Sequence, residues 1–194
     1  MDIFQHRVNS IEKLKNVPST YGVEIDIRTF GSKLILEHDA FEEGTSFEDW
    51  LGNFTHNGII LNIKEEGLEN SIIELMGEFG ITNYFFLDQS FPFLVKLVRA
   101  GNTKCAIRVS DIESVQTAQS LQTDWIWLDS FSGNWDYLLG QEFRLLSNRS
   151  KLCIVSPELQ RANSLKEAME LRDIIDNLDF KIDAVCTKNP ELWL

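Results

Sequence analysis

Three short pieces near the start of the chain carry residue types that can do chemistry together: His6-Arg7, Glu24-Ile25-Asp26 and His38-Asp39. Two histidines supply proton carriers whose ordinary pKa lies near neutrality. Two carboxylates spaced by one residue supply an oxygen cage for a hard cation, because residues two apart in a strand share a face. That combination suits metal-assisted cleavage of a phosphodiester. It requires neutralised phosphate oxygens, an activated nucleophile and a protonated leaving alkoxide.

Such residues must be positioned by elements, and the pattern of elements is readable. Short β-rich runs occur at 3–6, 23–28, 59–64, 84–87, 105–109, 125–128, 152–155 and 184–187, with a further extended piece at 33–38. Several are apolar on both faces, as in parallel strands covered by helices. Amphipathic runs fill the gaps at 67–79, 91–99, 112–121, 135–147 and 164–177. A short helix over 47–54 would be capped by Ser46, and a reduced one lies near 10–14. Gly80 and Gly101 stand where helices should stop, and Pro92 where one should begin.

Eight strands in β-then-α alternation predict an α/β fold, a compact (β/α)8 TIM-type barrel filling residues 1–194 as a single domain. The length is below the ~250 residues usual for that architecture. A doubly wound open sheet is the rival, but the chain has no G-x-G-x-x-G turn for a nucleotide. In a barrel the active site lies at the C-terminal ends of the strands. His6, Asp26, Lys64, Asp88, Arg108 and Asp129 all fall at or near such ends.

Composition narrows the function classes. The formal net charge is -12 and no basic run occurs, which argues against nucleic acid as a partner. The acidity also disfavours charge-driven binding to anionic membranes. It leaves room for an anionic substrate, since a cation and a few basic groups reverse the field in a cleft. No apolar run is long enough to span a bilayer, and MDIFQHRVNS lacks the features of a signal peptide. Cys105, Cys153 and Cys186 each sit in apolar segments without C-x-x-C spacing, so reduced core thiols and a cytoplasmic location are expected.

The motifs H-R on the first strand, E-I-D on the second, H-D after the next extended piece and N-I-K on the third resemble the glycerophosphodiester phosphodiesterase family. That family lies within the phosphatidylinositol-phospholipase-C-like phosphodiesterase superfamily. The final AVCTKNPELW is similar to the family's closing strand and its T-D-x-P-type turn. The resemblance implies a barrel, a divalent cation (Mg²⁺ or Ca²⁺) and hydrolysis of a small phosphodiester by paired histidines. It makes His6 and His38 the acid/base pair, Glu24, Asp26 and Asn62 the metal site, and Arg7 and Lys64 phosphate contacts. Arg108 and Asp129, from the strand ends, join the substrate-binding set.

The chain departs from the family pattern in three places. Val8 replaces the glycine after His-Arg. The P-E-N-T-type segment that follows is absent, with Asn9 standing in for its asparagine. Asn62 stands where a third carboxylate is expected, and an amide oxygen ligates a hard cation without contributing charge. A small soluble phosphodiester, glycerol- or sugar-based, is the expected substrate. The alternatives are a catalytically weakened relative that binds a phosphorylated ligand, or a partner-binding module of a carbohydrate-assembly pathway. Bland roles also exist for several residues. His6 on a strand edge, His38 and His56 in turns, and Trp125, Trp127 and Trp135 in the core would each be ordinary on their own.

Overall fold

The computed structural model describes residues 1–161 and 165–194. The chain opens with β1 (Asp2–Gln5), α1 (Ile11–Asn16), β2 (Gly22–Phe30), β3 (Lys33–Leu36), β4 (Thr45–Ser46) and α2 (Phe47–Leu51). It continues through β5 (Ile59–Ile63), α3 (Glu69–Glu78), β6 (Tyr84–Leu87), α4 (Phe91–Arg99), β7 (Ala106–Val109) and α5 (Val115–Ser120). It closes with β8 (Trp125–Leu128), α6 (Gln141–Ser147), β9 (Lys151–Val155), α7 (Leu165–Asp176) and β10 (Ala184–Thr187).

Eight strands run parallel in a curled sheet. β1 pairs with both β2 and β10, β2 with β5, β5 with β6, and β7 through β10 follow in sequence. The ring meets between β6 and β7 at one bridge, Phe86 to Cys105, where the Phe86 N–H donates to the Lys104 carbonyl at 2.9 Å. The expected barrel is therefore observed, with one thin seam. Apolar side chains fill its interior, among them Phe4, Ile60, Phe85, Trp125, Trp127 and Cys186. Gly22 makes room for this layer: a Cβ there would lie 2.3 Å from the Phe4 ring. A larger cluster, including Leu14, Trp50, Ile72, Leu146 and Leu171, joins the strands' outer faces to the helices.

The local signals act as expected. The Ser46 hydroxyl accepts from the Asp49 N–H and caps α2. Gly80 and Gly101, both at positive φ, follow the ends of α3 and α4. The 33–38 piece folds back antiparallel on the upper half of β2. The 135–147 segment divides at extended Gly140 into a 3₁₀ turn, Asp136–Leu139, and α6. Of the helix expected over 164–177, residues from Leu165 onward form α7, and Ser164 lies outside the described residues. Among the described residues, no helix is long and apolar enough to cross a membrane.

Candidate active site

Glu24 and Asp26 sit on β2 with their side chains toward the barrel interior, 1% and 0% exposed. Carboxylates so placed need partners, and each has several. Asp26 lies 3.1 Å from the Lys64 ammonium and 3.6 Å from Arg7 Nε. Asn9 clamps it from both sides. Its Nδ2 donates to Asp26 Oδ2 at 2.8 Å, and its Oδ1 accepts the Asp26 N–H at 2.9 Å. Glu24 accepts the Arg7 N–H at 2.7 Å on one oxygen and Asn62 Nδ2 at 2.8 Å on the other. Arg7 reaches this position with φ at +53°, a left-handed turn uncommon for a side-chain-bearing residue.

The loop following β1 carries His6 over these carboxylates. Its Nε2 is 3.8 Å from Glu24 Oε2, and its backbone N–H is tied to the Thr187 carbonyl at the end of β10. Burial lowers the His6 pKa to about 3, and the charges of Arg7, Lys188 and Lys64 push the same way. The imidazole is neutral at pH 7. Burial raises Glu24 to about 7, with the neighbouring Asp26 charge adding to the rise.

On the opposite side of the mouth, Arg108 from β7 pairs with Asp88 and faces Asp129 at 3.7 Å and Glu113 at 3.9 Å. Asp129 is held by the Ser130 N–H and by Gln160 Nε2, each at 2.8 Å. Burial raises its pKa, and Arg108 opposes the rise.

These groups surround a cavity of about 260 Å³ at the C-terminal ends of the strands. His6, Arg7, Glu24, Asn62, Lys64, Arg108 and Asp129 all line it. Asp26 pairs with Lys64 and is not among the lining residues. His38 is not among the lining residues either. It follows β3, its ring 38% exposed, with Nδ1 2.7 Å from Asp39 Oδ1. His56 bonds the Val17 carbonyl and packs against Phe54, a structural role.

Two polar lining residues escaped the sequence reading. Lys188 follows β10 directly, with its N–H bonded to Glu158 Oε1 at 3.0 Å. Gln160 arrives from the loop after β9. The signal for Lys188 was a cation one residue beyond a strand end, the position that marked Lys64 and Asp129.

The cavity thus gathers four cations, Arg7, Lys64, Arg108 and Lys188, in a chain of formal net charge -12. The same lining carries three acidic side chains, Glu24, Asp88 and Asp129, beside the neutral imidazole of His6, so the excess of positive charge is small. Among the described residues, no three histidine, cysteine or acidic side chains come together as metal ligands. A third donor would have to be Asn62, whose register partner across β2 and β5 is Asp26. Asn62 Oδ1 is buried without a hydrogen-bond partner, whereas Asp26 Oδ1 faces the Lys64 ammonium at 3.1 Å. Two carboxylates and one free amide oxygen fit a hard cation, although Lys64 competes for Asp26.

No protein-family model matches the sequence, and no curated protein sequence does. Solved structures do match. A glycerophosphodiester phosphodiesterase from Thermotoga maritima superposes with a TM-score of 0.73 at 16% identity, covering 98% of this chain and 96% of that one. One from Parabacteroides distasonis gives 0.71 at 12% identity, covering 98% and 93%. One from Agrobacterium tumefaciens gives 0.65 at 11%, covering 99% and 97%. The likeness runs along nearly the whole chain and establishes a shared fold, the one that the motif resemblance implied.

Proposed function

We propose that the barrel mouth binds and hydrolyses a small phosphodiester. The observation that carries this reading is the convergence of four cations on one cavity that also holds neutral His6 and buried Glu24. The fold shared with glycerophosphodiester phosphodiesterase structures supports the same reaction class.

Arg7, Lys64, Arg108 and Lys188 neutralise the non-bridging oxygens, with the arginine forks suited to two-point contact. His6, neutral at working pH, accepts the proton of the attacking water or hydroxyl. His38 is the complementary proton carrier. Its bond to Asp39 places the ring proton on Nδ1 and leaves Nε2 as the exchanging nitrogen. Glu24, Asp26 and Asn62 would hold Mg²⁺ or Ca²⁺, which when bound adds Lewis-acid neutralisation of the phosphate. Asn9 and the Arg7 N–H fix the two carboxylates, so their geometry does not depend on the substrate.

A second reading is a phosphate-ligand binder without turnover. It is favoured by the saturation of Glu24 and Asp26 with protein donors and by the place of His38 outside the cavity lining. Glycerophosphodiester hydrolysis with Mg²⁺ or Ca²⁺, measured in wild type and in His6→Ala and His38→Ala, separates the two. Loss of about 10²–10⁴ in rate in each variant supports the enzyme. Calorimetric binding of glycerol phosphate with no turnover in wild type supports the binder. Turnover retained in either variant removes that histidine from the mechanism.

A further inference from the structure

A second cavity, of about 400 Å³, adjoins the one at the barrel mouth and shares His6, Arg7 and Lys188 with it. It reaches in the other direction, to Lys13 on α1. The sequence brings these groups together in two steps. Parallel pairing of β1 with β10 sets Gln5 beside Thr187, and the His6 N–H bonds the Thr187 carbonyl at 2.9 Å, so Lys188 emerges next to the His6-Arg7 turn. Ser10 then caps α1 through the Lys13 N–H, and the Lys13 ammonium folds back to donate to the Arg7 carbonyl at 3.4 Å.

Charge sets this cavity apart. Arg7, Lys13 and Lys188 line it and no carboxylate does, in a chain where Asp and Glu outnumber Lys and Arg by 30 to 18. At the barrel mouth, by contrast, three acidic side chains stand against four cations. Among the described residues, Lys13 and Lys188 form no ion pair. Arg7 approaches Asp26 only through Nε, at 3.6 Å, and its terminal nitrogens make no hydrogen bond among the described residues. Three cations held together without counter-charge repel one another, and an anion between them removes that repulsion while gaining charge-assisted hydrogen bonds.

We propose that this cavity is an anion site in its own right, taking a compact oxyanion, a carboxylate or phosphate group, separate from the phosphate assigned to the barrel mouth. Other occupants fit less well. A cation is repelled by the lining. An apolar group finds only Val8 and Val17, both buried, to cover. A long polyanion extends past three basic groups onto a chain of net charge -12. Because the two cavities share three residues, a ligand carrying two anionic groups engages both, its second contact being intramolecular. That two-group ligand rests on the phosphate-binding reading above; the anion site does not.

Isothermal calorimetry of the full chain with glycerol 3-phosphate and 3-phosphoglycerate tests this, since the second compound carries a carboxylate where the first has a hydroxymethyl group. In wild type 3-phosphoglycerate is expected to bind about tenfold tighter. Lys13 is exposed and lines the second cavity alone. Lys13→Gln is therefore expected to abolish the gain and leave glycerol 3-phosphate affinity unchanged, and Lys13→Arg to retain the gain. Sulfate titrated into protein saturated with glycerol 3-phosphate reports a free anion as the alternative source. A Lys13-dependent gain with 3-phosphoglycerate assigns the oxyanion to the ligand, and Lys13-dependent sulfate binding alone assigns it to a separate ion; both support the site. Absence of Lys13-dependent binding of either probe overturns the proposal, including a 3-phosphoglycerate gain that survives Lys13→Gln and so belongs to the barrel mouth. If glycerol 3-phosphate does not bind at all, the barrel-mouth reading falls, and sulfate titrated into free wild type and Lys13→Gln still decides the anion site.

Discussion

His6 and Glu24 face each other at 3.8 Å with pKa values displaced in opposite directions, and stability measured against pH should expose both. An unfolded chain protonates its histidine near 6.5, whereas folded His6 resists down to about 3. The unfolded state therefore binds more protons in that interval. The His6 contribution is complete above pH 6.5 and is lost as pH falls toward 3. Glu24 works the other way. Its folded carboxyl keeps a proton up to about 7, and the unfolded one releases it near 4.5. Its contribution is complete below pH 4.5 and is lost as pH rises toward 7. Each group imposes a slope of about 1.4 kcal/mol per pH unit within its window. Between pH 4.5 and 6.5 the windows overlap, the slopes oppose and wild type gains little net dependence from the pair.

Removing either partner should unmask the other. Relative to wild type, His6→Gln should lose about 3 kcal/mol between pH 4.5 and 6.5, and Glu24→Gln should gain about 3 kcal/mol across the same interval. Both native groups are largely neutral throughout, so removal of one leaves the other's surroundings without a change of charge. Urea unfolding at several pH values in EDTA gives the free energies. The slope of the difference from wild type is the readout, which sets aside any uniform cost of the substitution. Slopes of the same sign in the two variants, or none in either, would refute the opposed burial of these groups.

Three further outcomes follow from the same geometry. Lys64→Met leaves fully buried Asp26 with Asn9 and Arg7 alone, and should cost about 3 kcal/mol in urea unfolding and weaken glycerol phosphate binding in calorimetry. Asn62→Asp adds a negative charge in register with Asp26 and should tighten Mg²⁺ and Ca²⁺ binding over a weak wild-type level, whereas Asp26→Asn should loosen it. If neither substitution moves metal affinity, these strands are not the cation site. Gly22→Ala drives a methyl group to 2.3 Å from the Phe4 ring and should lower stability by about 1–3 kcal/mol, checked by thermal and urea unfolding.

Much of the barrel was legible because buried parallel strands are apolar on both faces and punctuated by helix stops such as Gly80 and Gly101. The two-residue β4 was not, since Thr45-Ser46 carries no alternation. The break in 135–147 was missed because Gly140 interrupts a run whose apolar spacing stays helical on both sides. At the site, Glu24 and Asp26 stood out as alternating charges in an apolar strand, a pattern that a barrel interior must explain. Lys188 carries the same strand-end signal as Lys64 and was passed over, and Gln160 did not stand out because it lies beyond the end of β9 and reaches the cavity only through the 3₁₀ turn Pro157–Leu159. His38 marks the limit of motif reading. Its neighbour Asp39 was visible in sequence, but not that the antiparallel return of β3 would leave the ring half-exposed beside the mouth.

The cationic cavity set in a strongly acidic chain has a kinetic consequence. At long range an approaching phosphate ester meets net repulsion; only within about a Debye length, ~10 Å at 0.1 M salt, does the local field turn attractive. The encounter rate of such a ligand should therefore climb as salt screens the outer field, while its residence time shortens as salt weakens the inner contacts. Protein surfaces that steer their partners usually lose encounter rate with added salt. On the proposed phosphate-binding reading, the two halves of the affinity respond to ionic strength with opposite signs, added salt giving faster entry and shorter residence.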